Sequence, residues 1–98
     1  MIQEEHILTV SIVQPNLIWE GPEANYTLLE SLVKSINVTD LIVLPEMFST
    51  GFSMQPKKFY ETMGGRGVEW MLQLADKTKA AVTGSLIIKE NEKFYNRL

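Results

Sequence analysis

Leu41-Ile42-Val43-Leu44-Pro45-Glu46-Met47-Phe48-Ser49-Thr50-Gly51-Phe52 is the stretch on which the reading of this chain turns. Leu41 to Leu44 is apolar at every position, as expected of a parallel strand covered on both faces. Pro45 has no amide hydrogen to continue a ladder, so the strand stops there. Glu46 then stands just past the carboxyl end of a core strand, the end at which open α/β sheets gather their chemistry. The aromatic, hydroxyl and glycine residues that follow read as a short loop.

Upstream, Ile7 to Val13 alternates and is rich in β-branched residues, which predicts a strand, placed centrally. Gln14-Pro15-Asn16 ends it. Gly21-Pro22-Glu23 opens a helix, with proline preset for the first turn and an acid near the positive end of the dipole. The helix is expected over Glu23 to Ser35, with Leu28, Leu29, Leu32, Val33 and Ile36 inward. Strand, helix and strand then form one crossover unit, right-handed by the general rule.

Downstream, Pro45 to Lys58 reads as a loop and Phe59 to Met63 as a helical turn. Gly64-Gly65-Arg66-Gly67 reads as a flexible linker. It has neither dinucleotide-binding nor P-loop spacing, and Gln14-Pro15 stands where a nucleotide-binding crossover would need glycines. A second helix is expected over Val68 to Thr78, with Val68, Met71, Leu72 and Ala75 facing the core and Trp70 serving packing. Ala80 to Lys89 reads as a third strand, with Val82, Gly84, Leu86 and Ile88 on one face. Glu90-Asn91-Glu92 turns the chain into a fourth, antiparallel strand from Lys93 to Leu98. The expected fold class is α/β in the order β-α-β-α-β-β.

The 98 residues suffice for one domain with a real core. The net charge is −3 and no basic stripe is present, which argues against nucleic acid and anionic membrane as partners. The absence of cysteine excludes a disulfide framework, a thiolate metal site and a cysteine nucleophile within these residues. His6, in the polar start Gln3-Glu4-Glu5-His6, reads as a solvated side chain. No apolar run approaches the roughly 20 residues that cross a bilayer. Neither is there a basic-then-apolar leader, so a cytoplasmic setting is expected. Asn25-Tyr26-Thr27 and Asn37-Val38-Thr39 match the glycosylation pattern and read as accidental.

Glu46 is the candidate for chemistry. A carboxylate at the rim of an apolar strand is expected to lose part of its water, which favours the protonated form and suits a general base working near neutrality. Ser49 and Thr50 would need an activating base to act as nucleophiles, and none is near in sequence. Phe48 and Phe52 could wall a small-molecule pocket or pack the loop on the sheet. One carboxylate and one distant histidine do not make a metal site.

The segment Leu44-Pro45-Glu46-Met47-Phe48-Ser49-Thr50-Gly51-Phe52 strongly resembles the catalytic-glutamate segment of the nitrilase, or carbon–nitrogen hydrolase, superfamily. Val10-Ser11-Ile12-Val13-Gln14-Pro15, the helix bearing Asn25, Asp40-Leu41-Ile42-Val43, Gly84-Ser85-Leu86 and Tyr95-Asn96 resemble that family's first third in order and spacing. The Met-Phe-Ser/Thr loop is similar to that of the omega-amidase branch. The resemblance implies an α-β-β-α sandwich, assembled as dimers, and a cofactor-free Glu–Lys–Cys triad acting on small amides. Glu46 would be the general base, and Phe52 would line the pocket. The lysine and cysteine have no counterpart here; Lys57, Lys58, Lys89 and Lys93 do not match the lysine motif. Residues 1–98 are therefore expected to be the N-terminal part of a single such domain, ending before the rest of the triad. By itself the chain would be inactive, and an inactive α/β scaffold or association module is the alternative reading.

Overall fold

The structure, a computed structural model, describes residues 6–98. The elements are β1 (Val10–Ile12), α1 (Pro22–Val33), β2 (Leu41–Val43), α2 (Pro56–Phe59), α3 (Arg66–Thr78), β3 (Ala81–Thr83), β4 (Leu86–Glu90) and β5 (Lys93–Arg97). Strands β1, β2 and β3 form a parallel sheet in that order, with Val10 opposite Leu41 and Leu41 opposite Ala81. Strands β4 and β5 form a separate antiparallel hairpin. The class is α/β, as the sequence leads one to expect.

Helix α1 begins where Gly21-Pro22 predicts, with Glu23 in its first turn. Its inward face is Asn25, Tyr26, Leu29 and Val33: Leu29 and Val33 point inward as anticipated, and Asn25 and Tyr26 join them. Leu32 is exposed. Helix α3 starts earlier than expected. The Gly64–Gly67 segment is its entry rather than a linker: Gly65 is the N-cap, and the Glu61 carboxylate accepts from the amides of Gly67 (2.8 Å) and Val68 (3.2 Å). A carboxylate at that end satisfies orphan donors and opposes the helix dipole. The buried stripe of α3 is Gly67, Trp70 and Leu74, and the anticipated Leu72 faces solvent. Lys79 closes α3 in the left-handed conformation (φ 54°).

The single third strand expected over Ala80 to Lys89 is broken at Gly84-Ser85. A Cβ at Gly84 would lie 2.9 Å from both Leu44 Cβ and Phe48 Cδ1, so the backbone approaches too closely for any other residue. The chain leaves the parallel sheet there and enters the hairpin, which turns through Asn91 and Glu92, both at positive φ (51° and 64°). The helical turn expected at Phe59 to Met63 is instead α2, starting at Pro56. Strand β1 is an outer strand and β2 the middle one, which corrects the expectation for Ile7 to Val13.

One face of the parallel sheet carries the core. Ile42, Leu29, Phe48, Trp70, Leu74, Leu86 and Ile88 pack together there. Tyr26 stacks on Trp70 at 5.2 Å between ring centroids, and Phe48 lies 5.5 Å from Trp70. On the other side Val10 and Ile12 are exposed, Ile12 to 66%. Among the described residues no helix is long and apolar enough to cross a membrane.

Candidate active site

Parallel pairing brings the carboxyl ends of β1, β2 and β3 to one side of the sheet. Val13 N–H donates to Val43 O (2.9 Å), and Leu44 N–H donates to Thr83 O (2.8 Å). The middle strand is thus tied on both flanks up to its last residue. Pro45 then removes the next donor, and the turn carrying Glu46 starts.

The loop after Glu46 is held by groups from three other places in the sequence. From the β3–β4 junction, Ser85 Oγ accepts from Met47 N–H (2.8 Å) and Ser85 O accepts from Phe48 N–H (3.3 Å). These bonds, with Gly51 N–H donating to Met47 O (2.8 Å), hold Met47 at φ 47°, a region that non-glycine residues rarely occupy. From α1, Asn25 Nδ2 donates to Ser49 O (2.8 Å) and Ile18 O (2.7 Å), while its Oδ1 accepts from Ile18 N–H (2.7 Å). Asn25 is fully buried and its amide is engaged, so it is no glycosylation acceptor. From the connector before α1, Glu20 N–H donates to Thr50 O (2.7 Å). The Glu20 carboxylate accepts from Ser53 Oγ (2.7 Å) and Gln55 Nε2 (2.8 Å). Gly51, at φ 71°, lies against Trp19 and is the one glycine of the loop in the left-handed region.

Tyr26, the neighbour of Asn25, packs its ring against Phe48 of the loop, with ring centroids 6.4 Å apart. Burial pushes its hydroxyl up from 10 to about 12, and the negative charge of Glu61 adds to the effect. The Ser49 hydroxyl and the Arg66 cation act the other way without reversing it. A phenol so disposed stays protonated at ordinary pH and is no proton carrier.

The predicted residues separate accordingly. Ser49 and Thr50 are buried, and Thr50 Oγ1 donates to Gly51 O (2.8 Å), so neither hydroxyl is presented as a nucleophile. Phe48 packs in the core, whereas Phe52 is 67% exposed. Glu46 is exposed as well and joins no ion pair among the described residues. The loss of water expected for its carboxylate is not produced by these residues: the β2 strand ends inside the core, but the turn carries Glu46 clear of it. His6 is exposed. Among the described residues no group of acidic or histidine side chains is arranged to hold a metal ion.

A groove of about 450 Å³ lies between the ends of α1 and α3, lined by Glu30, Lys34, Thr39 and Leu74 among others. A smaller cavity of about 180 Å³ lies under the loop, beside Met47, Ser53, Ile87 and Phe94. Neither is lined by Glu46 or Phe52. Sequence reasoning missed the anchoring roles of Asn25, Ser85 and Glu20. One signal for Asn25 is present: it precedes Leu29 and Val33 at four-residue steps, a polar side chain in line with the buried stripe.

Comparison with known proteins bears on the same segment. Residues 9–98 match the family described as carbon-nitrogen hydrolase. The chain is 33% identical to omega-amidase YafV of Yersinia enterocolitica over 92 residues, and 30% identical to that of Escherichia coli over 90. In each case the alignment covers 92% of this chain and 35% of the relative, so the chain spans about a third of the length of the curated relatives it matches. Among solved structures it resembles XC1258 from Xanthomonas campestris, a CN-hydrolase superfamily protein crystallised with an arsenic adduct in its active site. There the TM-score is 0.87 at 33% identity, covering 94% of this chain and 35% of that one. It also resembles Saccharomyces cerevisiae Nit3 of the nitrilase superfamily, with a TM-score of 0.71 at 27% identity, covering 91% and 37%. The chain with Glu46 at the end of its middle strand belongs to the carbon–nitrogen hydrolase family.

Proposed function

We propose that residues 1–98 are the glutamate-bearing part of one carbon–nitrogen hydrolase domain whose reaction is the hydrolysis of small amides. The substrates proposed are omega-amides of 2-oxo acids, such as 2-oxoglutaramate giving 2-oxoglutarate and ammonia. The observation that carries the reading is the setting of Glu46. It follows directly on the middle parallel strand, and the loop behind it is bonded to Ser85, Asn25 and Glu20. A base must be held at a defined position to be useful, and a strand end backed by such ties provides that.

In this reading the Glu46 carboxylate takes the proton of a cysteine thiol supplied by chain outside these residues. The thiolate attacks the amide carbon, and the proton passes to the leaving nitrogen as ammonia departs from the thioester. Glu46 next takes a proton from water, which cleaves the thioester and restores the thiol. A lysine ammonium, also outside these residues, stabilises the oxyanion of each tetrahedral intermediate. Phe52, exposed six positions on, is placed in the pocket wall. The completed enzyme is taken to be a homodimer. Exposure of Glu46 and Phe52 accords with a site whose opposite wall comes from elsewhere.

Ammonia release from 2-oxoglutaramate, measured for the native polypeptide carrying this segment, for its Glu46→Gln variant and for residues 1–98 alone, tests the reading. Turnover is expected only in the first. Turnover that survives in Glu46→Gln removes Glu46 as the base. A second reading, an inactive scaffold or association module, is favoured by the bare sheet face at Val10 and Ile12. It predicts no hydrolysis from any form, together with concentration-dependent self-association in size-exclusion chromatography.

A further inference from the structure

We propose that Asn25, on α1, and Ser85, at the β3–β4 junction, are positioning residues for Glu46, acting on the turn that carries it; the inference rests on Glu46 being the general base. The two side chains grip the turn at two points. Asn25 Nδ2 holds the Ser49 carbonyl at 2.8 Å, and Ser85 Oγ accepts from Met47 N–H at 2.8 Å. Ser49 lies three positions after Glu46, within the same turn. The grip is rigid because each arm is itself fixed. Asn25 is fully buried, and its two remaining hydrogen bonds both go to Ile18. Ser85 is buried, and its carbonyl also accepts from Phe48 N–H at 3.3 Å.

The loop cannot hold this shape by its own preferences. Met47 sits at φ 47° and would leave that region if its outside bonds were lost. On the sheet side Ser85 holds Met47 and Phe48. On the helix side Asn25 holds Ser49. Glu46 projects from the near end of this clamped segment, so a shift of Ser49 turns the segment about Ser85 and displaces the carboxylate. Displacements of that kind, near 1 Å, cost turnover rather than substrate affinity.

The test uses Asn25→Asp, Ser85→Ala and Glu46→Gln in the native polypeptide that carries the segment. Asn25→Asp keeps the acceptor for Ile18 N–H but replaces the donor to Ser49 O with a repelling oxygen. Ser85→Ala removes a single hydroxyl, the acceptor of Met47 N–H, so it reports even where the first variant folds poorly. The readouts are kcat and KM for hydrolysis of 2-oxoglutaramate, corrected for folded fraction, and amide hydrogen exchange along the loop. Both positioning variants are expected to lower kcat about tenfold to a hundredfold, with KM changed less than about threefold. Exchange at Phe48, Thr50 and Gly51 is expected to quicken while Ile42 stays protected. If Glu46→Gln is inactive but kcat of both positioning variants stays within about twofold of wild type, the positioning role is refuted and the base survives. The role is equally refuted if kcat falls only in step with the folded fraction. If Glu46→Gln turns over normally, the base reading fails and the inference with it.

Discussion

The loop that follows strand β2 contains two regions of opposite character. Its middle, Met47 to Gly51, is buried and bonded to distant parts of the chain; its ends, Glu46 and Phe52, are exposed. The middle carries a core aromatic and the hydrogen bonds of Asn25, Glu20 and Ser85. The ends make none of those contacts. Residues that look like one motif therefore differ in setting, with the centre anchored and the two edges open to solvent. Stability and activity are expected to respond to different positions only a few residues apart.

The widest separation is expected from Glu46→Gln. In the native polypeptide it lowers turnover by roughly three orders of magnitude or more. An exposed substitution of this kind leaves unfolding free energy within about 0.5 kcal/mol. Kinetics and urea denaturation on the same sample check both halves, and a fall in stability matching the fall in rate would erase the contrast. Next comes Phe48→Ala. Phe48 is fully buried against Tyr26 and Trp70, so its loss is expected to cost about 3–5 kcal/mol, read from the denaturation midpoint.

A subtler effect is expected at high pH from Tyr26, whose hydroxyl is raised to about 12 from 10. The folded state favours the protonated phenol more than the unfolded state does. That contribution is whole below pH 10 and is lost as pH rises from 10 through about 12. Denaturation at stepped pH should show wild type losing stability across this window faster than Tyr26→Phe; parallel curves would show that the burial of the hydroxyl has no such consequence. The smallest effect is expected from Phe52→Ala, at 67% exposure: stability within about 0.5 kcal/mol, with KM in the native polypeptide raised severalfold. A large stability loss there would show that the outer edge of the loop is an anchor after all.

Much of the architecture was legible in short-range patterns. The apolar run Leu41 to Leu44, the Pro45 stop and the Gly21-Pro22 helix start all read correctly, because each rests on a local rule of backbone chemistry. The inward faces of the two helices were read in part. Leu29, Val33, Val68 and Met71 face the core and Trp70 packs in it, as expected. Leu32 and Leu72 looked like core residues and are exposed, while the burial of Asn25 and Tyr26 was not anticipated. A helix presents several apolar stripes of similar strength, and the partner surface chooses among them. The break at Gly84-Ser85 was invisible for the same reason, since the close approach of Leu44 and Phe48 comes from another part of the chain.

The glutamate and the strand that ends before it belong to the sequence alone. An apolar run stopped by proline leaves an acid at a strand end wherever such a chain folds. Tertiary structure decided what the acid rests on. Asn25, Glu20 and Ser85 converge on the loop only once helix and strands have packed, because hydrogen bonds between residues 20 to 40 positions apart have no signature in local propensity. It also decided that Glu46 faces outward, since a turn held at Met47 by those same bonds carries the carboxylate clear of the core from which its strand emerges.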